Sequence, residues 1–264
     1  MFSLSAPTAG FWGVPTSSVD WCEANYRYSP YVCELFNTWS SFAILLAGCL
    51  GAWFHRTTLE RRFLLAFLAL CLVGVGSVAF HATLRFELQM LDELPMLWLA
   101  LVMNYTLLEN RPTRRFGLWF PALLIVYGIL ISLLTLLTRG RVEFWAFQIT
   151  FASAEFYGLY RVWRIYRRSQ NAGVRRLFRW GMASYLVALA LWSVDTHQCS
   201  FVSVTLPAWG LFNPQLHAVW HVLVSLGFYA LVLLIAYDRF DTLGIRGKLE
   251  PRLGFIPSLV RTRN

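Results

Sequence analysis

The stretch LHAVWHVLVSLGFYALVLLIAY, residues 216–237, decides the fold of this chain. It runs for 22 residues without Asp, Glu, Lys or Arg. About 20 predominantly apolar residues are enough for a helix to cross ~30 Å of hydrocarbon. Inside a bilayer the backbone must satisfy its own hydrogen bonds, so a single span of this length is a helix. The stretch therefore predicts a transmembrane helix, with His217 and His221 near its start.

Six further stretches have similar length and apolar character, and with residues 216–237 they predict an all-α, seven-transmembrane helix bundle over residues 35–237. The six are Leu35–Phe54, Phe63–Leu84, Leu88–Leu108, Phe116–Leu137, Val142–Tyr160 and Leu177–Val194. The third, fifth and sixth of the seven each carry a polar residue or are short. We expect residues 1–34 to form an N-terminal segment and residues 238–264 a basic tail.

The composition excludes an ordinary water-soluble domain. Hydrophobic residues make up 57% of the chain and charged residues 14%, against roughly 25% charged residues in soluble domains. The net charge of +9 does not indicate a nucleic-acid partner, because the basic residues lie in short segments between the apolar runs. The first ten residues lack the basic and apolar regions of a cleaved signal peptide, so we expect the first span to act as the targeting signal.

The distribution of basic residues predicts the orientation. Segments 55–62, 109–115, 161–179 and 238–264 together hold 19 of the 23 Lys and Arg residues. An excess of Lys and Arg in short connections marks the cytoplasmic side. We therefore expect a luminal N-terminus and a cytosolic C-terminus.

Three histidines are predicted to meet at the luminal ends of the helices. His217 and His221 are four residues apart and share one helix face, and His81 ends the second span. Three neutral histidines that leave a fourth position open are typical of a catalytic zinc. Asp92, at the start of the third span, could act as the general acid/base, and Ser77 could donate to a developing oxyanion. The alternatives are polar residues at a helix interface and, for Ser77, a simple helix contact beside two glycines.

Oxygen donors cluster before the first span. Asp20, Glu23, Asn25 and Glu34, supplemented by a backbone carbonyl, could bind a hard cation such as calcium. The same spacing is equally consistent with acids that are solvated at the start of a helix and bind no cation.

The cysteines and the remaining polar residues allow weaker predictions. Three cysteines fall on the predicted luminal side, where disulfides persist, and spacing alone does not choose the pair among them. They are Cys22, Cys33 and Cys199. We expect His55 and His197 to be surface residues and Asp195 to support the site. Glu155 could pair with Arg161 or line a cavity.

Four motifs together resemble the alkaline ceramidases. They are Val19-Asp20-Trp21-Cys22-Glu23, Ser77-x-x-x-His81, Leu91-Asp92-Glu93-Leu94-Pro95 and His217-x-x-x-His221. The similarity is closest to the type-three branch, through Phe11-Trp12-Gly13, Gly74-Val75-Gly76-Ser77 and Leu91–Met96. It covers the whole chain in order and spacing, although the loops and the tail after Asp238 match little. The resemblance implies a seven-helix enzyme of the endoplasmic reticulum or Golgi membrane that cleaves the amide of ceramide into sphingosine and a fatty acid.

The resemblance also implies roles for particular residues. His81, His217 and His221 would bind zinc, Asp92 would be the general acid/base and Ser77 would assist at the carbonyl. The calcium ligands would be Asp20, the Trp21 carbonyl, Glu23, Asn25 and Glu34. Cys22 and Cys199 would form a luminal disulfide. Cys33 departs from the family pattern and would be a spare thiol.

A receptor is the alternative function. A wider superfamily that includes the adiponectin and progestin receptors shares the serine, aspartate and three-histidine set, so a lipid-sensing receptor with a metal site that does not turn over would carry the same residues.

As partners we expect ceramide entering from the bilayer and membrane lipids, with no nucleic acid and no obligate protein partner.

Overall fold

The computed structural model describes residues 9–262, so the first eight residues of the predicted N-terminal segment and the last two of the tail lie outside it. Seven long helices account for most of the chain. They are α1 (Leu35–His55), α2 (Arg61–Thr83), α3 (Phe86–Leu108), α4 (Trp119–Leu137), α5 (Arg141–Arg168), α6 (Ala172–His197) and α7 (Leu216–Thr242). A short π-helical turn (Phe201–Thr205) and one α-turn (Leu206–Ala208) connect α6 to α7.

Each long helix covers one predicted span, and five are long and apolar enough to cross a membrane: α1, α2, α4, α6 and α7. The other two long helices are less apolar, because α3 carries adjacent acids at Asp92 and Glu93 and α5 contains seven charged residues. The structure therefore supports a membrane helical bundle. Seven crossings and the luminal placement of the N-terminus stay predictions.

The long helices alternate in direction, so the starts of α1, α3, α5 and α7 lie together with the ends of α2, α4 and α6. Residues 9–34 lie across this end, which we call the N-terminal end of the bundle. The backbone N–H groups of Cys33 and Glu34 donate to the carbonyls of Ala82 and His81 at 2.8 and 3.0 Å. These bonds fix the N-terminal segment against the end of α2.

Two glycines of α2 allow the closest helix contacts near this end. A Cβ atom at Gly74 would lie 2.4 Å from the Leu45 nitrogen of α1. At Gly76 a Cβ atom would lie 2.1 Å from the Leu91 carbonyl oxygen of α3. Small residues let the backbones of membrane helices approach closely. The pair therefore holds α1 and α3 against the two sides of α2, directly before Ser77.

The C-terminal segment corrects the all-α prediction, because the predicted basic tail contains β-structure. Two antiparallel strands, β1 (Gly247–Arg252) and β2 (Ile256–Arg261), form a hairpin with Gly247 opposite Arg261. The hydroxyls of Tyr237 and Tyr229 in α7 donate to the carbonyls of Gly247 and Pro257 at 2.6 and 2.8 Å. The hairpin is thus attached to the helices at the end opposite the N-terminal segment.

The expectation that His55 is a surface residue is wrong. His55 is fully buried at the end of α1, where its Nε2 accepts a hydrogen bond from the Leu259 N–H at 3.1 Å. Its Nδ1 therefore carries the proton and donates to the Gly51 carbonyl at 2.8 Å. The hairpin that covers this histidine comes some 200 positions later in the chain, so local spacing gives no sign of it. His197 is exposed, as predicted.

Candidate metal centre

Three histidines come together at the N-terminal end of the bundle. His81 lies in the last turn of α2, and His217 and His221 lie in the first two turns of α7. All three side chains are buried, and their ligand nitrogens lie within 4.8 Å of one another. Within residues 9–262, they form the one group of three His, Cys, Asp or Glu side chains that meet this closely.

Hydrogen bonds orient two of the three rings. The Nδ1 atom of His81 lies 2.5 Å from Glu34 Oε2, and the Nδ1 atom of His221 lies 2.7 Å from Ser40 Oγ. In each ring the other nitrogen, Nε2, is left to act as a ligand. Metal-bound histidines commonly use their second nitrogen in this way, which fixes the tautomer and the ring plane.

The third ring is held by stacking. The imidazole of His217 lies on the indole of Trp21, with ring centroids 3.7 Å apart and an angle of 20° between the planes. Its Nδ1 atom is buried and has no hydrogen-bond partner among the described residues. Such a group is costly unless something binds it. Three buried imidazoles with one unsatisfied nitrogen fit a zinc ion, whose usual catalytic ligand sets include three histidines.

Ser77 and Asp92 lie beside the histidines. Ser77 Oγ is 3.4 Å from His221 Nε2 and 2.9 Å from Ser41 Oγ. The side chains of Ser77 and Asp92 are almost fully buried. Together with His217 they line one cavity of about 170 Å³. The close α2–α3 contact at Gly76 brings Asp92 to this position. One largely apolar cavity is therefore lined by a candidate metal ligand, a carboxylate and a hydroxyl.

The acidic cluster of the N-terminal segment is partly assembled. The Asn25 amide donates to Asp20 Oδ1 at 3.2 Å, and the two carboxylate oxygens of Glu23 accept from the N–H groups of Phe36 and Asn37 at 2.8 and 2.9 Å. Glu23 thereby caps the first turn of α1, which satisfies backbone donors that have no partner inside the helix. One role of this acid is therefore structural.

Glu34 connects the acidic cluster to the histidines. It is fully buried at the N-cap of α1, and its Oε1 has no hydrogen-bond partner among the described residues, whereas Oε2 contacts His81. Burial, followed by the charges of Asp20 and Glu23, raises the pKa of Glu34 well above its usual value. A cation beside Oε1 would relieve this unfavourable environment.

A disulfide joins the N-terminal segment to the end of α6. Cys22 and Cys199 are bonded, as the resemblance implies, with Cα atoms 5.2 Å apart, and Cys33 is a free, buried thiol. The Asp195 carboxylate accepts a hydrogen bond from the Cys22 N–H at 3.2 Å and another from the backbone N–H of His217. Asp195 thus supports the start of α7, in line with the sequence-based expectation.

Comparison with known proteins identifies the family. A family model described as Ceramidase matches residues 13–251. The chain belongs to the ceramidase family. It is 31% identical over 263 residues to alkaline ceramidase 3 of Mus musculus, covering 95% of this chain and 94% of that protein. It is 30% identical to the alkaline ceramidase of Arabidopsis thaliana, covering 94% of each chain. It is also 30% identical to a putative alkaline ceramidase of Dictyostelium discoideum, covering 83% of this chain and 85% of that protein. The chain is therefore a hydrolase of the ceramidase family, as its motifs predict.

Several contacts in this ceramidase-family chain were not found from the sequence. Ser40 and Ser41 lie on α1, and their roles depend on how α1 packs against α7 and α2. Glu143, in the first turn of α5, is buried and accepts a hydrogen bond from the Gln89 amide at 3.0 Å. For Glu155 the cavity prediction is confirmed, since it lines the same cavity as Asp92.

Proposed function

We propose that this protein is a zinc-dependent amidase that hydrolyses ceramide to sphingosine and a free fatty acid. The observation that carries the proposal is the group of three buried histidines, one of which, His217, lines a largely apolar cavity together with Asp92 and Ser77. The chain's relatives are named alkaline ceramidases, which supports ceramide as the substrate. A ceramide has its amide at the headgroup boundary and its chains in the hydrocarbon, which suits a site at the ends of membrane helices.

The residues divide the reaction between them. When bound by His81, His217 and His221, zinc supplies Lewis-acid chemistry that polarises the carbonyl and lowers the pKa of water. Asp92 would accept a proton from the attacking water as the C–O bond forms, then donate it to the departing nitrogen as the C–N bond breaks. Ser77 would donate a hydrogen bond to the carbonyl oxygen as negative charge develops on it.

We further propose that the N-terminal end faces the lumen of the endoplasmic reticulum or Golgi and that the acidic cluster binds calcium. The excess of Lys and Arg in the opposite connections supports the orientation. So does the Cys22–Cys199 disulfide, because disulfides persist in oxidising compartments. The unpartnered Oε1 of Glu34 and the neighbouring charges of Asp20 and Glu23 support a hard cation, for which carboxylate, amide and carbonyl oxygens are the preferred ligands.

The test combines metal analysis with lipid hydrolysis. Purified protein in lipid nanodiscs should contain about one zinc per chain and should release sphingosine and fatty acid in equal amounts from ceramide. His217→Ala should lose both the zinc and the activity. His197→Ala is the matched control, because this exposed histidine at the end of α6 lies outside the trio, and it should keep both.

A metal-loaded wild-type protein that hydrolyses no ceramide would overturn the proposal. A lipid-sensing receptor would instead bind ceramide without turnover, and its ligand-dependent response would survive Asp92→Asn, since a general base is dispensable for sensing.

A further inference from the structure

The cavity that is lined by His217 of the candidate metal centre extends deep into the bundle. Along α7 its lining runs from His217 to Phe228, eleven positions further along the chain, which is roughly 17 Å at ~1.5 Å per residue. Along α5 it runs from Phe147 to Leu159, a similar distance. The lining between these ends is mostly aromatic and aliphatic. The cavity is therefore a narrow apolar site with its chemistry at one end.

A second, smaller cavity of about 40 Å³ lies beyond the deep end. Its lining continues along α7 from Phe228 to Ile235, roughly 10 Å further along the helix axis. Four residues line both cavities: Glu155, Leu159, Tyr185 and Phe228. These four, which we call the partition, separate the two cavities.

A hydrogen bond holds the partition in place. The Tyr185 hydroxyl of α6 donates to Glu155 Oε2 of α5 at 2.6 Å. Ionisable groups inside a membrane protein are costly and are usually retained for a function. This bond lies across the space between two helices, so it fixes the tyrosine ring at the boundary of the cavities. Neither residue contacts the histidines, and the proposed hydrolysis gives them no chemical role.

We propose that the partition is the floor of a lipid-chain site and limits the length of the hydrocarbon chain that the enzyme accepts. This inference rests on the proposed function, since it assumes that a lipid chain enters the cavity. With C–C bonds of ~1.5 Å, an extended chain advances roughly 1.3 Å per methylene, so the main cavity would take about 13 carbons and the two joined cavities about 20. The chain is either the acyl chain or the sphingoid chain, because both begin next to the amide.

The test measures hydrolysis of two ceramide series, one varied in the acyl chain and one in the sphingoid chain, from about 12 to about 24 carbons. In Tyr185→Ala we expect the preference for the longest over the shortest chains to rise about ten-fold in one series, because added apolar contact in a pocket is worth this much or more. The series that responds identifies the chain. Leu186→Ala is the control, since this neighbouring side chain is exposed and lines neither cavity, and it should retain the wild-type preference.

Two further variants distinguish a change in chain-length preference from the effect of a folding defect in Tyr185→Ala. Leu159→Ala widens the partition from α5 without removing the hydrogen bond, and it should shift the preference in the same direction. Tyr185→Phe retains the ring and removes the hydroxyl, so it should shift the preference less than Tyr185→Ala. An unchanged chain-length profile in folded Tyr185→Ala or Leu159→Ala would overturn the inference.

A separate readout distinguishes this inference from the proposed function. The same ceramides can be added to each variant during thermal unfolding, which reports binding without turnover. If wild-type protein hydrolysed no ceramide, the proposed function would be wrong. If the longest chain that still stabilises the protein against thermal unfolding became longer in Tyr185→Ala than in the wild type, the inference about the partition would still be supported. If that longest chain were the same in both proteins, the inference would be overturned.

Discussion

The histidine trio and the acidic cluster of the N-terminal segment are both candidate cation sites, and they are built in different ways. His81, His217 and His221 project from two packed helices, and buried partners hold their rings. The acids lie on an irregular segment and at the first N-cap, and Glu23 already uses both oxygens to cap α1. The two groups meet at Glu34.

The difference shows how rigid elements and connecting segments contribute to a site. Groups on helices are held by the packing of the whole bundle, so the trio is gathered by the fold itself. The acidic cluster places the buried carboxylates of Glu23 and Glu34 near Asp20, so we expect a bound cation to stabilise its arrangement. We therefore expect the trio to carry the chemistry and the cluster to support it through Glu34. The predictions below test this division.

The largest effect should come from Asp92, the carboxylate that lines the same cavity as His217. Asp92→Asn should lower kcat by about 10²- to 10⁴-fold, the usual contribution of a general acid/base, while bound zinc stays near the wild-type level. Asp241→Asn is the control, because this exposed aspartate lies at the opposite end of the bundle, and its activity should be unchanged. Loss of zinc in Asp92→Asn would assign Asp92 to metal binding instead.

A smaller effect should follow from a change at Glu34, which belongs to the acidic cluster and contacts His81 of the trio. Glu34→Gln removes the negative charge beside His81 Nδ1, and changes of this kind typically cost about 10- to 100-fold in metal affinity or activity. Zinc affinity measured by competition with a chelator and kcat should both fall. Glu109→Gln is the control, since this glutamate is also buried but lies at the other end of α3, where it accepts two backbone N–H bonds. Equal zinc affinity in Glu34→Gln and Glu109→Gln would show that the acidic cluster does not affect metal binding by the histidine trio.

Removal of calcium should have a partial effect. A calcium-selective chelator should lower the hydrolysis rate less than Glu34→Gln does, without removing zinc, because the cation acts through the position of Glu34. The rate should recover on adding calcium back, and Asp20→Asn should shift the calcium concentration needed to higher values. A hydrolysis rate independent of calcium would show that the acids serve only as structural groups.

The smallest effect should come from Glu23. Glu23→Ala removes the acceptors for two N–H groups at the start of α1, and loss of a helix cap costs about 1 kcal/mol of stability. Thermal unfolding in detergent should therefore begin at a lower temperature, with zinc still bound. The exposed Glu87→Ala provides the comparison, and an equal change in both variants would argue against a capping role.

The sequence by itself determined the seven helices, the family and the residues that form the candidate centre. Apolar runs set the helices because each span must satisfy its own backbone. The spacing of His217 and His221 placed both on one face, and the alternation of helix direction brought His81 to the same end. These are local properties of the chain, and they do not require knowledge of which helices touch.

Only the tertiary structure decided which groups contact one another. The partners of the histidine rings, Ser40 and Glu34, come from α1, whose position depends on close packing against Gly74 of α2. His55 is buried by a hairpin from the far end of the chain, and Glu155 meets Tyr185 across two helices. Such contacts follow from how side-chain shapes fit between helices, a property of the whole packed bundle that residue spacing along one helix does not specify.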